Sequence, residues 1–316
     1  MSDYVGAILA AGRGIRMGAL GERYPKPLLP VANEPLIVHH LRTLRGLGIK
    51  EIYIVVGHGA TQIVRALGEG SRFGVHIVYV DQLTPLGSAH ALGRLAPHLE
   101  RPFVLMLGDY YAFVPELARM LERAESTKGS VMAAKVESDR RALCEACTLE
   151  VNKDGRVLRI VEKPKVPPSD LKGCGIYVFQ PEIFDAVRRT PRTALRDEYE
   201  ITVSIELYIQ AGHPLYAETV IEWDMNFTLP EDVLQCNLTW LERQSRGELV
   251  GTNVQLAAGT QLERAIIGND VIVMEPSVLK QVVVFQGVQM KGGELIEQTL
   301  VTPSGSFHCT REYSKG

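Results

Sequence analysis

The sequence predicts an α/β protein in which a doubly wound, mixed sheet spans residues 1–245 and a short parallel β-helix spans 249–316. Two observations carry this. Up to about residue 110, short β-branched runs alternate with segments of helical periodicity, the pattern of parallel βαβ units. After residue 248 a six-residue spacing takes over, at Val254, Thr260, Ile266, Ile272, Val278, Val284 and Met290, with Ala-Gly, Gly-Asn-Asp and Gln-Gly turns between. A plain β-meander is the alternative for that last stretch, because β-branched residues suit any sheet.

The elements run in order along the chain. Tyr4–Ala10 is an apolar run ending in glycines, Pro35–Leu47 has helical periodicity, and Glu51–Val56 is a β-branched strand stopped by Gly57. Thr61–Leu67 reads as helix, Val75–Val80 as strand, Ser88–Leu95 as helix, and Phe103–Leu107 as a buried strand ending at Gly108-Asp109. Beyond residue 130 the strands turn hairpin-like: Val131–Val136, then Thr148–Val151 and Val157–Val161 around Asn152-Lys153-Asp154-Gly155. Gly175–Phe179 is a further strand. Helices are predicted near Pro181–Arg188 and Tyr199–Ala211, and over Pro230–Gln244, where a proline opens the first turn. Polar Gln244–Glu248 marks the boundary between the two parts.

Composition narrows the function classes. The chain has 316 residues, 46% hydrophobic and 22% charged, enough for a sizeable core. Lys plus Arg number 34 against 37 Asp plus Glu, a net charge of −3 with no long run of one sign, so neither nucleic acid nor a membrane surface is an expected partner. Met1-Ser2-Asp3 leads straight into a strand with no leader pattern, which reads as cytoplasmic. Five scattered cysteines do not form a disulfide framework. Cys144 and Cys147 have metal-like spacing but no second pair or histidines nearby, so they read as ordinary thiols.

In a doubly wound sheet, ligands sit beyond the carboxyl ends of the strands. The residues there after the first strand are Leu9-Ala10-Ala11-Gly12-Arg13-Gly14-Ile15-Arg16-Met17, and shortly beyond them comes Tyr24-Pro25-Lys26-Pro27-Leu28-Leu29-Pro30. Glycines let backbone N–H groups approach phosphate oxygens, and Arg16 and Lys26 add fixed positive charge. The third glycine of a dinucleotide fingerprint is absent, since position 17 is Met17, and no P-loop is present either.

These two strings together resemble the signature of the sugar-1-phosphate nucleotidyltransferases. Further stations match in order: Gln82 to His90 (QLTPLGSAH), Leu107-Gly108-Asp109, Glu162-Lys163-Pro164, Gly175-Ile176-Tyr177, Glu198 to Thr202 (EYEIT) and Trp223-Asp224. The likeness runs from residue 1 to about 245. It implies a Rossmann-like (GT-A-like) sheet, and a left-handed β-helix as in many of these enzymes. It also implies attack of a sugar 1-phosphate on the α-phosphorus of a nucleoside triphosphate, UTP or dTTP, with glucose 1-phosphate as the default acceptor. Such chemistry is mostly positioning and charge neutralisation.

The resemblance also implies roles. Arg16 and Lys26 would hold the triphosphate and Lys163 the sugar phosphate, while Asp109 and Asp224 would chelate Mg²⁺. Leu9, Ala10, Ala11, Gly12, Gly14 and Ser88 would line the nucleotide, with Gln82 and Gly87 meeting the pyrimidine edge. A side-chain amide can pair with an imide through both its donor and its acceptor. Tyr110, Cys147, Glu162 and Gly175 fall on the sugar side. His90 is expected to have a core or surface role.

Several positions depart from the family pattern. Ile15 stands where a Ser or Thr is usual, Tyr110 where Asn is often found, and Cys147 where a glycine is expected. Asp224 to Pro230 is two residues longer than usual, which makes Asn226 a further candidate ligand. Two alternatives therefore stay open: a cytidylyltransferase acting on an unusual phosphate or phosphonate, and a non-catalytic regulatory subunit of the same fold. The last segment makes fewer than about three coils, and its only histidine is His308, so assembly into a dimer or tetramer is expected rather than acyl transfer.

Overall fold

The computed structural model describes residues 4–193 and 197–310; the N-terminal Met1–Asp3 reading falls outside them. Contacts divide the chain into two units, one of residues 1–13 and 37–224, the other of residues 14–36 and 225–316.

The first unit is a mixed sheet in the order Val157–Glu162, Cys147–Val151, Leu171–Phe179, Phe103–Leu107, Val5–Ala10, Glu51–Val56, His76–Asp81, with Ser130–Val136 and Leu215–Thr219 joined to it at Leu171–Phe179. The four strands predicted before residue 110 are parallel: Leu9 pairs with both Val55 and Leu107, and Val56 with Asp81. Leu171–Phe179 runs antiparallel to Phe103–Leu107, with Ile176 opposite Met106, so its beginning lies at the edge where the parallel strands end. The expected hairpin at 152–155 is present. Asn152 Oδ1 accepts from the backbone of Asp154 and Arg156, and Gly155 takes a positive φ of 75°. A core of Phe103, Phe179 and Phe184 fills one side; the rings of Phe103 and Phe184 stack 5.5 Å apart. Sequence reasoning missed the helices Ala118–Thr127 and Arg140–Glu145 and the strands Tyr110–Phe113, Leu215–Thr219 and Trp223–Asn226.

In the second unit the C-terminal strands stack in parallel with residue i opposite residue i + 17. Glu248 faces Ala265, Gln255 faces Ile272, Ile266 faces Val283, and Val278 faces Leu295. A meander would pair these strands antiparallel; among the described residues of this stretch only the last pair, Leu295–Thr302 with Gly305–His308, does so. The seventeen-residue turn corrects the strict six-residue register. After Ile266 the inward position comes one residue early, so Val271, Ser277 and Val283 are buried while Ile272 and Val278 are half-exposed. The coil reads six, six and five.

The segment 14–36 and the helix Pro230–Arg243, both placed by the sequence reading in the first part, pack with these strands. The hairpin Pro30–Pro35 turns through Ala32 and Asn33, both at positive φ, a conformation that asparagine tolerates and alanine does not favour. Hydrogen bonds hold it there. Ala32 N donates to Asn237 Oδ1 at 2.8 Å, Asn237 Nδ2 donates to Pro30 O at 2.8 Å, and Asn33 Nδ2 donates to Ile267 O at 2.7 Å. No helix among the described residues is long and apolar enough to cross a membrane.

Candidate active site

The carboxyl ends of the parallel strands gather the first group of expected residues. Leu9 O accepts from Gly108 N at 2.8 Å, which fixes the turn carrying Asp109 beside the end of the first strand. A side chain at Gly108 would stand 2.5 Å from that same oxygen, so the approach needs glycine. Ala10 and Ala11 are buried, and Gly12 is exposed with open space around it. Gln82 begins the loop after His76–Asp81, its N–H bonded to Val56 O at 2.8 Å.

Gln82 is 4% exposed, and its Nε2 donates to Gly87 O at 3.0 Å and lies 3.3 Å from His90 Nδ1. Both amide hydrogens are thereby used. The group keeps its acceptor, not the donor–acceptor pair the sequence suggested. His90, expected in a core or surface role, is half-buried against Gln82. The Ser88 hydroxyl, expected at the nucleotide, accepts from Ile201 N at 2.9 Å, at the start of the helix Ile201–Gln210. Together with Ala89 N to Tyr199 O and Tyr199 N to Leu86 O, each 2.8 Å, this ties the 82–88 loop to Glu198–Ile201.

The residues expected on the sugar side come from the antiparallel strands and from Tyr110–Phe113. Glu162 pairs with Cys147, which in turn pairs with Gly173, placing these three in one row. Lys163 comes next with φ 45°, bonded through its N–H to Ala146 O at 2.9 Å. Tyr110 is 1% exposed, its ring beneath Gly175, where a Cβ would stand 3.0 Å from Tyr110 Cγ. It forms a floor rather than an exposed contact. Burial, with Cys174 and Asp224 beside it, pushes the Tyr110 phenol well above its ordinary pKa. Burial likewise raises the Cys147 thiol, and pushes Cys174 up to about 12, so neither is a thiolate at neutral pH.

Asp224 lies against the Tyr110 segment. Glu222 N donates to Phe113 O at 3.1 Å, and the rings of Phe113 and Trp223 meet edge-on at 6.0 Å. Its carboxylate has partners that the sequence did not reveal: Lys172 Nζ is 2.6 Å from Oδ2 and Lys135 Nζ is 3.8 Å from Oδ1. Oδ1 itself is buried without a hydrogen-bond partner among the described residues. Burial works against the Lys172 ammonium, but Asp224 carries its pKa above the usual lysine value.

In the second unit, Met17 N bonds Gly14 O at 2.8 Å and closes a short turn that presents Arg16 to solvent. Lys26 runs along Gly14, where a Cβ would sit 3.2 Å from Lys26 Cε. Asn226 is exposed in this unit.

This fold and these strand-end groups are those of a nucleotide-handling α/β protein. The nucleotidyl transferase family model matches residues 5–240. A glucose-1-phosphate thymidylyltransferase from Streptomyces griseus is 30% identical over 327 aligned positions, covering 93% of this chain and 90% of that protein. A UTP–glucose-1-phosphate uridylyltransferase, AglF, from Haloferax volcanii is 32% identical over 227, covering 71% and 91%. The crystal structure of a UDP-glucose pyrophosphorylase complexed with UDP-glucose superposes with a TM-score of 0.66 at 20% identity, covering 76% of this chain and 99% of that one, a likeness of fold alone. The chain belongs to the nucleotidyl transferase family, among the sugar-1-phosphate nucleotidyltransferases, as its ordered motifs implied.

Proposed function

We propose that the protein transfers a nucleotidyl group from UTP or dTTP to a hexose 1-phosphate, glucose 1-phosphate by default, releasing pyrophosphate. The sugar-phosphate oxygen forms the new bond to the α-phosphorus as the bond to the β-phosphate oxygen breaks, and pyrophosphate leaves in line. Two anionic partners must be brought together, so fixed cations matter most. Arg16 and Lys26 would neutralise the triphosphate and the leaving pyrophosphate, and Lys163 the sugar phosphate. Glu162 would accept from sugar hydroxyls, with Gly175 and Cys147 shaping that side and Tyr110 beneath it. The backbone from Leu9 to Gly12 and at Gly14 would approach the nucleotide, while Gln82 Oε1 would accept from the base and Gly87 would hold its amide.

The residues fit Mg²⁺. Asp224 Oδ1 is a buried acceptor without a hydrogen-bond partner among the described residues, the kind of oxygen a hard cation takes together with substrate phosphates. Asp109 and Asp224 would hold the ion, which would supply positive charge between the two phosphates. The observation that most supports the whole reading is the meeting at one sheet edge of the Gln82–Gly87 loop, the Asp109 turn and the Glu162–Cys147–Gly173 row. Asp109→Asn tests it: turnover should fall by two or more orders of magnitude, on the order of other electrostatic losses at such sites, with the circular dichroism unchanged. Full activity in the folded variant would refute the assignment. The stacked C-terminal strands favour a dimer or tetramer, which light scattering of the intact protein reads directly.

A further inference from the structure

Lys172 and Lys135 face each other directly across antiparallel strands, a pairing of like charges that a sheet does not tolerate without compensation. Compensation comes from two carboxylates. Asp224 takes Lys172 at 2.6 Å and Lys135 at 3.8 Å, and Glu137 takes Lys135 at 2.9 Å. The Asp224 side chain is 1% exposed, and the lysine side chains 13% and 19%. Two ammonium groups therefore balance two carboxylates in a largely dry cluster. Mg²⁺ gives up its water reluctantly and needs surplus negative charge. In this cluster the carboxylate that would bind it is already neutralised.

Resting on the reading that Asp224 is a metal carboxylate, we propose that Lys172 is a tethered cation at Asp224 that keeps the nucleotide-free site from holding a divalent ion tightly. The ion then arrives with the triphosphate, whose oxygens supply the missing negative charge. Lys172 is in this sense a positioning residue: it acts on the metal through Asp224, whose Oδ2 it occupies. It lies outside every motif that carried the family resemblance.

Mn²⁺ provides the probe, because free Mn²⁺ is counted by electron paramagnetic resonance without turnover. Lys172→Gln keeps a hydrogen-bond donor beside Oδ2 and removes the charge. Without nucleotide it should bind Mn²⁺ about tenfold more tightly than the wild type, as expected for deleting a nearby unit charge in a partly dry site. The gain should vanish when Asp224→Asn is added, and a non-hydrolysable triphosphate should narrow the difference. Equal affinities in the wild type and Lys172→Gln, or a gain that survives Asp224→Asn, would overturn the proposal. Lys135→Gln, which removes the ammonium near Oδ1, must shift affinity in the same direction, and it serves if Lys172→Gln does not fold. Pyrophosphate release by the wild type is scored separately. Its absence counts against the proposed function, whereas equal Mn²⁺ affinities in an enzyme that turns over count against Lys172 alone.

Discussion

Gln82 Nε2 donates to the carbonyl of Gly87 at 3.0 Å, and this bond fixes which end of the amide is presented. Turning the amide over would set Gln82 Oε1 against Gly87 O, two acceptors face to face. A fixed acceptor suits a base that carries an N–H at its pairing edge. Gln82→Leu should therefore lower kcat/KM for the preferred pyrimidine triphosphate by about 10- to 100-fold, the loss expected for one buried hydrogen bond. Steady-state kinetics with UTP and dTTP checks this; unchanged kcat/KM for both would remove Gln82 from base recognition.

Gly87 has no alternative to glycine. Its φ is 108°, and an added Cβ would stand 2.5 Å from Tyr199 O. Gly87→Ala should destabilise the protein by about 2 kcal/mol or more through backbone strain and displacement of the Tyr199 segment. The urea midpoint should fall and activity should drop with it.

Asn237 is fully buried and satisfies the backbone of Ala32, Pro30 and Val233. Asn237→Ala leaves the Ala32 N–H and the Pro30 carbonyl short of a partner, a loss of about 2–4 kcal/mol. Asn237→Asp keeps the acceptor for Ala32 N but sets a buried carboxylate against Pro30 O, and should be destabilised at neutral pH at least as much as Asn237→Ala. Chemical denaturation of the three proteins orders them, and equal midpoints would refute this account of the hairpin.

His40 is buried, with its Nε2 lacking a hydrogen-bond partner among the described residues, and burial, helped by His39, brings its pKa down to about 3. The unfolded chain takes up the proton near the ordinary value of about 6.5, while the folded protein refuses it until near 3. The stability tied to the neutral ring is thus complete above about pH 6.5 and is lost as the pH falls toward 3. His40→Leu should lose less Tm than the wild type between about pH 7 and pH 5. Parallel Tm profiles would contradict this.

Local pattern carries most of the sheet. Glu51–Val56 and Phe103–Leu107 have the predicted bounds because a β-branched or apolar run is stopped by glycine on the spot. Ala118–Thr127 carries a helical period of its own, with Leu117, Met120, Leu121 and Ala124 at i, i+3, i+4 and i+7, and the sequence reading overlooked it. The C-terminal register slips because a seventeen-residue coil departs from three equal hexads by one residue, visible only once Glu248 is paired with Ala265. At the site, strand-end position reveals Gln82 and Asp109. The Lys135–Asp224–Lys172 network joins residues far apart in sequence, and its only local sign is a lysine in each of two otherwise apolar strands. The bond from Ile201 N to the Ser88 hydroxyl is not legible in the sequence, because the two residues lie 113 positions apart.

The most direct test of the central claim is pyrophosphate release with Mg²⁺ across UTP, dTTP, CTP, GTP and ATP, each with glucose 1-phosphate and a small panel of other sugar phosphates. The account predicts release that requires both substrates and is fastest with UTP or dTTP. Silence across the panel from protein shown to be folded, or release with CTP alone, would contradict it.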